Sequence, residues 1–213
     1  MVRTVHINQE ELLMGICELY GIKQFDLDPC YSKGNFYKGD IPVPRLISDI
    51  EPASPFVEKA DAAELCFSEG SMKAIIFDPP FLATKGPSLS GENGNLMAKR
   101  FSFFPSESEL FKFYFKCMSR FYLFLEKDGL LVFKCQDKVS SGKQYFSHCL
   151  VYELALAIGF YPKDLFVLFN ERKMLGKWAK GPQKHALKTH SYFWVFQKTT
   201  PKVTLDKLLR GGE

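Results

Sequence analysis

Residues 72–78, with the sequence MKAIIFD, constrain the fold of this chain more than any other stretch. Their apolar side chains follow one another almost without a break. Such a run is typical of a parallel strand that is covered on both faces, rather than of a half-exposed strand that alternates between apolar and polar residues. The stretch therefore predicts an α/β protein with this strand in the interior of its sheet.

Helical and strand patterns alternate along the rest of the chain. Apolar spacing predicts helices over 8–20, about 107–126 and 147–158, with Asn8 capping the first helix and Gly21 ending it. The last two strands have no clear helix between them, so one of them is expected to be antiparallel. The remaining strands give a mostly parallel sheet with helices on both faces. Those strands are predicted at 24–28, 45–50, 56–60 (or a loop there), 130–135, 164–169 and 191–197.

Length and composition are consistent with a single α/β domain over 1–213. The net charge of +4 is too small to indicate a nucleic-acid-binding protein by itself. The chain shows neither an 18-residue apolar run nor a signal-peptide pattern, so we expect a cytoplasmic protein without a membrane partner. The six cysteines form no C-x-x-C pair and the four histidines are scattered, so no metal site is expected.

Asp78, Pro79, Pro80 and Phe81 end the most apolar strand, where an open α/β sheet binds its ligands. Their chemistry suits an amino group on an aromatic ring, which is a poor nucleophile because its lone pair is delocalised. A carboxylate and a backbone carbonyl can accept its two hydrogens and so orient the lone pair. The prolines stiffen the backbone, and Phe81 offers a flat face for a flipped base. The alternative is a strand-ending turn.

Three further acids follow predicted strands in order. Asp28 ends the first strand and suits a cationic amine, whereas Asp49 ends the second and suits the hydroxyls of a ribose. Asp61 precedes the strand of Asp78 and suits an adenine amine. Taken alone, Asp28 is equally well explained as a turn residue, and Asp49 and Asp61 are better explained as solvated surface residues. Their ordered recurrence at strand ends is what favours a ligand site.

The order of Asp28, Asp49, Asp61 and Asp78 along the chain resembles that of the class I S-adenosylmethionine-dependent methyltransferases. The tetrapeptide resembles the amino-methylating motif (Asp/Asn/Ser)-Pro-Pro-(Tyr/Phe/Trp). A helix before FDLDPC is similar to the start of small phage-type DNA N6-adenine methyltransferases. The resemblance covers residues 5–137 best. It implies a Rossmann-like, seven-stranded sheet with a reversed terminal hairpin, and S-adenosyl-L-methionine as cofactor.

The resemblance also implies roles for individual residues. Asp78 and Pro79 would bind the target amine, and Phe81 would stack on the base, with Pro80 completing the catalytic tetrapeptide. The cofactor would be bound by strand-end residues, among them Asp49 at the ribose, with Asp61 and Ala62 at the adenine. The full set of cofactor-binding residues implied is Asp28, Pro29, Cys30, Tyr31, Asp49, Asp61 and Ala62.

Two segments are candidates for contact with a nucleic acid. Residues 171–190 contain six Lys or Arg, one Glu and Trp178, a composition that suits phosphate and base contacts, or else a solvated loop. Residues 82–105 follow Phe81 and are predicted to be a mobile active-site loop. Lys134, Gln136 and Lys143 are expected to border the same crevice. The predicted substrate-binding residues are Lys99, Arg100, Arg172, Lys173, Lys177, Trp178, Lys180 and Lys184.

These observations predict methyl transfer to an exocyclic amino group, with N6 of adenine in DNA as the first expectation. The same tetrapeptide also fits an RNA base methyltransferase acting on adenine N6 or guanine N2. It further fits a protein-lysine or glutamine methyltransferase, cytosine N4 chemistry, and a binding module that kept only the fold. Because no large recognition domain is evident, we expect a short recognition sequence or a protein partner that helps to recognise the target.

Overall fold

The computed structural model describes residues 1–83, 104–140, 142–170, 182–199 and 209. Within these residues the chain forms ten strands and three helices. In chain order they are β1 Val5–His6, α1 Gln9–Tyr20, β2 Leu27–Asp28, β3 Leu46–Asp49, β4 Glu58–Lys59, β5 Met72–Phe77, α2 Glu107–Phe124, β6 Leu125–Cys135, β7 Lys138–Ser140, β8 Lys143–Tyr145, α3 Ser147–Ile158, β9 Tyr161–Phe169 and β10 His190–Gln197.

Eight strands form one sheet in the order β1-β9-β10-β6-β5-β2-β3-β4. Strand β10 is antiparallel to both of its neighbours, and the other pairings are parallel. The predicted mostly parallel α/β sheet with one reversed strand is therefore confirmed. The implied count of seven strands is one too low, because β1 adds to the edge through the pair Val5 and Val167. Strand β1 was not predicted, because two residues are too few to show a strand period.

The two faces of β5 are both covered, as its apolar run predicts. Ala74 and Ile76 pack in the core beneath α1, while Ile75 and Phe77 pack in the core beneath α2 and α3. All four side chains are almost fully buried. Because successive residues of a strand point to opposite faces, only an uninterrupted apolar sequence fills both cores. Strand β5 therefore lies in the middle of the molecule and carries its last residue to the carboxyl edge of the sheet.

The helix boundaries follow from local chemistry. The Asn8 side chain accepts hydrogen bonds from the backbone N–H groups of Glu10 and Glu11, and Gly21 ends α1 at φ 65°, as predicted. Helix α3 has the predicted bounds. Helix α2 ends at Phe124, and β6 starts directly at Leu125.

Two local predictions differ from the structure. Strand β6 begins at Leu125, five residues before the predicted start at 130. It therefore contains Gly129, which was predicted to separate the helix from the strand. The extra residues of β6 are accommodated by an irregularity in its register with β5. The hairpin of β7 and β8 was not predicted, because its sequence is polar and has no apolar alternation. Within the described residues, no helix combines the length and the apolar character needed to cross a bilayer.

Candidate active site

The carboxyl edge of the sheet gathers the predicted acids. Strand β5 lies between β2 and β6, and β3 lies beyond β2, all four running parallel. The residues that end or follow these strands, Asp78, Asp28 and Asp49, therefore come to the same edge. The three carboxyls are close enough to interact: burial is the main cause that raises the pKa of Asp28, and the charges of Asp78 and Asp49 add to it.

The tetrapeptide 78–81 is held in place from outside the strand. The Tyr114 hydroxyl of α2 donates a 2.7 Å hydrogen bond to the Pro80 carbonyl oxygen, and the Lys138 ammonium donates to the Phe81 carbonyl oxygen. Both of these carbonyls thus already accept one hydrogen bond from the protein, and the Pro79 carbonyl stays the predicted backbone acceptor for a substrate amine. Pro79 itself is buried, whereas Asp78 and Phe81 are half-buried.

Lys138 forms a buried ion pair beneath this loop. Its Nζ lies 2.8 Å from Oε2 of Glu107, with the two side chains 9% and 14% exposed. Burial lowers the pKa of Lys138, and the carboxylate of Glu107 opposes this shift. Removal of either partner would leave a buried charge without its counterion, which is strongly destabilising. Because Lys138 also donates to the Phe81 carbonyl, it connects the start of α2 to the backbone of this loop.

The Asp78 carboxylate has a basic partner on the neighbouring strand. Lys134 Nζ of β6 lies 3.1 Å from Asp78 Oδ2 and 3.3 Å from Oε1 of Gln9, the first residue of α1. The same ammonium lies 4.6 Å from the centre of the Phe36 ring. The Asp78 side chain remains 31% exposed, so a ligand at the edge of the sheet can still reach it.

Asp28 is the most buried of the acids, at 3% exposure. Its Oδ1 accepts from the Cys30 N–H at 2.9 Å and its Oδ2 from the Tyr37 hydroxyl at 2.6 Å. Tyr37 in turn stacks on Tyr31, with ring centres 5.4 Å apart. Burial raises the pKa of Asp28 to about 7, although both hydrogen bonds favour the charged form and oppose the shift.

Asp49 connects β3 to the loop that follows β2. Its Oδ2 accepts from the Ser32 N–H at 2.8 Å and its Oδ1 from the Glu51 N–H at 2.9 Å. Tyr31 in the same loop donates its N–H to the Ser48 carbonyl at 3.0 Å. Each carboxylate oxygen can accept a second hydrogen bond, so the predicted ribose contact stays a prediction beside this structural role.

Asp61 lies in the turn after β4, where its Oδ1 accepts from the Ala63 N–H at 2.8 Å. Ala62 between them is buried in the core beneath α2. The Cys117 thiol of α2 has a raised pKa, first because of burial and next because of the Asp61 charge, so Asp61 lies close to that helix. The predicted adenine contact of Asp61 and Ala62 stays a prediction.

A cleft of about 380 Å³ opens beside the β2–β3 loop. This volume is within the range of small-molecule sites, roughly 300–1,000 Å³. Tyr31 is the one predicted cofactor residue in its wall; Asp61 and Ala62 do not line it. The lining residues are Tyr31, Ser32, Lys33, Ile47, Ala53, Ser54, Phe56 and Val57.

The predicted substrate residues fall largely outside the described part of the chain. Lys99, Arg100, Arg172, Lys173, Lys177, Trp178 and Lys180 all lie there, whereas Lys184 is described and exposed. Of the residues expected to border the crevice, Lys134 contacts Asp78, Gln136 donates to the His190 carbonyl, and Lys143 is exposed. Within the described residues, no group of three His, Cys, Asp or Glu could hold a metal ion.

Four functional candidates were not found from the sequence: Tyr37, Glu107, Tyr114 and Lys138. The tyrosines have the pattern of core residues, and Lys138 lies in a polar stretch without a period. Their partners lie 9 to 57 positions away in sequence. The sequence holds only a weak indication of them, namely polar side chains on segments that must pack against the loop after Asp78.

No protein-family model matches the chain, and no curated protein matches it. Among solved structures, it is similar to the 1,6-didemethyltoxoflavin-N1-methyltransferase of Burkholderia thailandensis, with bound 1,6-didemethyltoxoflavin and S-adenosylhomocysteine. That similarity has a TM-score of 0.50 and 14% identity, over 91% of this chain and 79% of that one. The chain thus has the Rossmann-like α/β fold of that protein.

A second similar structure is the PvuII DNA methyltransferase, which is cytosine-N4-specific. Its TM-score is 0.48 with 20% identity, over 72% of this chain and 53% of that one. The chain therefore spans about half the length of the PvuII enzyme.

Proposed function

We propose that this chain transfers a methyl group from S-adenosyl-L-methionine to an exocyclic amino group, namely N6 of adenine in DNA. The observation that carries the proposal is the Asp78–Phe81 tetrapeptide, held rigidly at the carboxyl end of the central strand. Tyr114 and Lys138 fix its backbone, while the Asp78 carboxylate stays 31% exposed. A rigid and reachable acceptor is what orienting an amine requires.

The proposed mechanism uses the acceptors to direct a lone pair. The Asp78 carboxylate and the Pro79 carbonyl accept the two hydrogens of the target amine, so its nitrogen lone pair points toward the methyl donor. Phe81 supplies the flat apolar face on which the extruded base stacks. The hydrogen bond from Lys138 to the Phe81 carbonyl keeps the Phe81 ring at a fixed position relative to Asp78.

The cofactor would supply an activated methyl group. Two features of the edge support this choice. The cleft beside Tyr31 has the size of a small-molecule site, and the Asp28 carboxyl, whose oxygens accept from Cys30 and Tyr37, would place a negative charge near a cationic amine when it is ionised above its pKa of about 7. Pro29 and Cys30 would contact it with Asp28 and Tyr31. Asp49 would bind the ribose, and Asp61 with Ala62 the adenine. The shared fold of a Burkholderia protein with bound S-adenosylhomocysteine supports this choice.

The experiment that tests the target is mass spectrometry of nucleosides. In three separate reactions, the protein is incubated with isotopically labelled S-adenosyl-L-methionine and one substrate, which is duplex DNA, RNA or a protein extract. Labelled N6-methyladenine from DNA is the expected product. Label in RNA bases, in lysine or glutamine, or in N4-methylcytosine would replace the DNA-adenine assignment by the corresponding alternative.

Replacement of Asp78 and replacement of Phe81 are expected to have different effects on methyl transfer. Asp78→Ala removes the acceptor and should abolish methylation, while circular dichroism shows a folded protein. Base–aromatic stacking contributes about 1–3 kcal/mol, so Phe81→Ala should slow single-turnover methyl transfer about ten- to a hundredfold. Phe81→Tyr keeps the flat ring and should retain most activity. Near-parental activity of Asp78→Ala would refute amino methylation by this site.

A further inference from the structure

Strand register places Lys134 next to the proposed catalytic carboxylate. Phe77 of β5 pairs with Phe133 of β6, so the residues that follow them, Asp78 and Lys134, come to the edge side by side. In each strand the residue two places earlier, Ile76 or Val132, packs beneath α1. The period of two in a strand brings both polar side chains to that same face.

The Lys134 ammonium has partners of three kinds. It donates to Asp78 Oδ2 at 3.1 Å and to Gln9 Oε1 at 3.3 Å, and it lies over the Phe36 ring at 4.6 Å and the Phe193 ring at 5.6 Å. The side chain is 20% exposed. A half-buried ammonium with a carboxylate, an amide oxygen and two aromatic faces around it is held in one position.

We propose that Lys134 is a positioning residue for methyl transfer, an inference that rests on the function proposed above. By taking Asp78 Oδ2, it fixes the rotation of the carboxylate and leaves Oδ1 as the acceptor for the target amine. It also supplies the positive charge that offsets a site where Asp28 and Asp78 repel each other. Lys134 acts through Asp78 and performs no chemical step of its own.

This role depends on the charge at position 78. The Asp78→Asn side chain presents one carbonyl oxygen and is neutral, so it does not need an ammonium to balance it. Loss of Lys134 should therefore harm the parent protein, with its Asp78 carboxylate, much more than it harms the Asp78→Asn variant. A merely structural lysine would harm both proteins equally.

A double-mutant cycle tests the proposal. Single-turnover methyl transfer to DNA is measured for the parent, Lys134→Met, Asp78→Asn and the double variant, with Lys134→Arg as the conservative change. Lys163→Met is the matched control, because Lys163 also contacts an amide oxygen, that of Gln197, and an aromatic ring, that of Tyr20, but near the amino edge of the sheet. Circular dichroism and thermal unfolding check that each variant is folded.

Lys134→Met should slow the parent about ten- to a hundredfold, yet slow Asp78→Asn less than about threefold. Lys134→Arg should recover part of the rate, and Lys163→Met should leave it unchanged. Near-parental rates for Lys134→Met, or an equal loss in both backgrounds, would overturn the positioning role while the proposed function stands. A folded parent that methylates no substrate would overturn the proposed function and this inference with it.

Discussion

Asp28 illustrates how burial changes the ionisation of one residue. Its carboxyl is 3% exposed, and its pKa is raised to about 7 from an ordinary value of 3.8. Because the folded state holds the proton more tightly than the unfolded state, folding is favoured at low pH, and this contribution is lost as pH rises toward 7. The proposed cofactor carries a positive charge, which would favour the ionised form.

Cofactor affinity should accordingly fall as pH drops from 8 to 6, because Asp28 takes up a proton that a cationic ligand must displace. Asp28→Asn should bind S-adenosyl-L-methionine more weakly at pH 8 and show a flatter pH dependence, as measured by calorimetry. Its stability relative to the parent should also be higher at pH 8 than at pH 4. Asp40→Asn, an exposed acid in the same region, is the control. Equal parental affinity at both pH values would contradict the assignment.

Among the secondary-structure elements, the end of β6 and strand β7 hold the loop after β5 in place. Lys134 contacts Asp78, Lys138 donates to the Phe81 carbonyl, and Ser140 Oγ donates to the Ala83 carbonyl at 3.2 Å. Helix α2 adds the Tyr114 hydroxyl, which donates to the Pro80 carbonyl. A loop held by hydrogen bonds at successive positions is preorganised, as the proposed methyl transfer would require.

Tyr114→Phe should therefore loosen this loop without opening a cavity. Loss of the hydroxyl leaves the Pro80 carbonyl without this donor and should lower the free energy of unfolding by about 1–3 kcal/mol. Single-turnover methyl transfer should slow several-fold, while S-adenosyl-L-homocysteine affinity stays parental. Tyr122→Phe is a matched control, since Tyr122 is on the same helix and packs on Phe160. Equal losses of rate in the two variants would show that the contact with Pro80 is not what matters.

Across the molecule, the distribution of charge matters more than its sum. The net charge is only +4, yet residues 171–190 carry six basic residues and one acid. Clustered positive charge binds phosphates and releases counterions, which makes affinity depend on salt concentration. We propose that this chain binds nucleic acid and that this segment carries affinity for it.

Replacing Lys177, Lys180 and Lys184 with Ala should thus flatten the salt dependence of binding. Each lost phosphate contact lowers the slope of log affinity against log salt by about 0.9 for duplex DNA. The slope is measured by fluorescence anisotropy on labelled DNA, and cofactor affinity should not change. A control with the same change of charge replaces Lys23, Lys73 and Lys127, which line a cleft at the amino edge of the sheet. If the control flattened the slope equally, the binding surface would lie elsewhere.

Most elements of the fold, and the acids at the ends of its strands, could be predicted from the amino-acid sequence. The unbroken apolar run of 72–77 indicated a strand buried on both faces, and Asn8 and Gly21 set the ends of α1. The order of acids at strand ends then indicated a ligand edge. Such signals are local, because periodicity and capping depend on residues a few positions apart.

Which side chains meet at that edge depends on the tertiary structure. Asp78 and Lys134 are 56 positions apart, and their contact depends on the register between β5 and β6. Two other contacts also join residues that are distant in sequence. The Tyr114 hydroxyl donates to the Pro80 carbonyl, and the Asp49 carboxylate accepts from the backbone N–H of Ser32. A one-residue change of register would turn Lys134 to the opposite face of the sheet. Contacts between distant residues are therefore set by strand order, register and packing, which no local pattern in the sequence records.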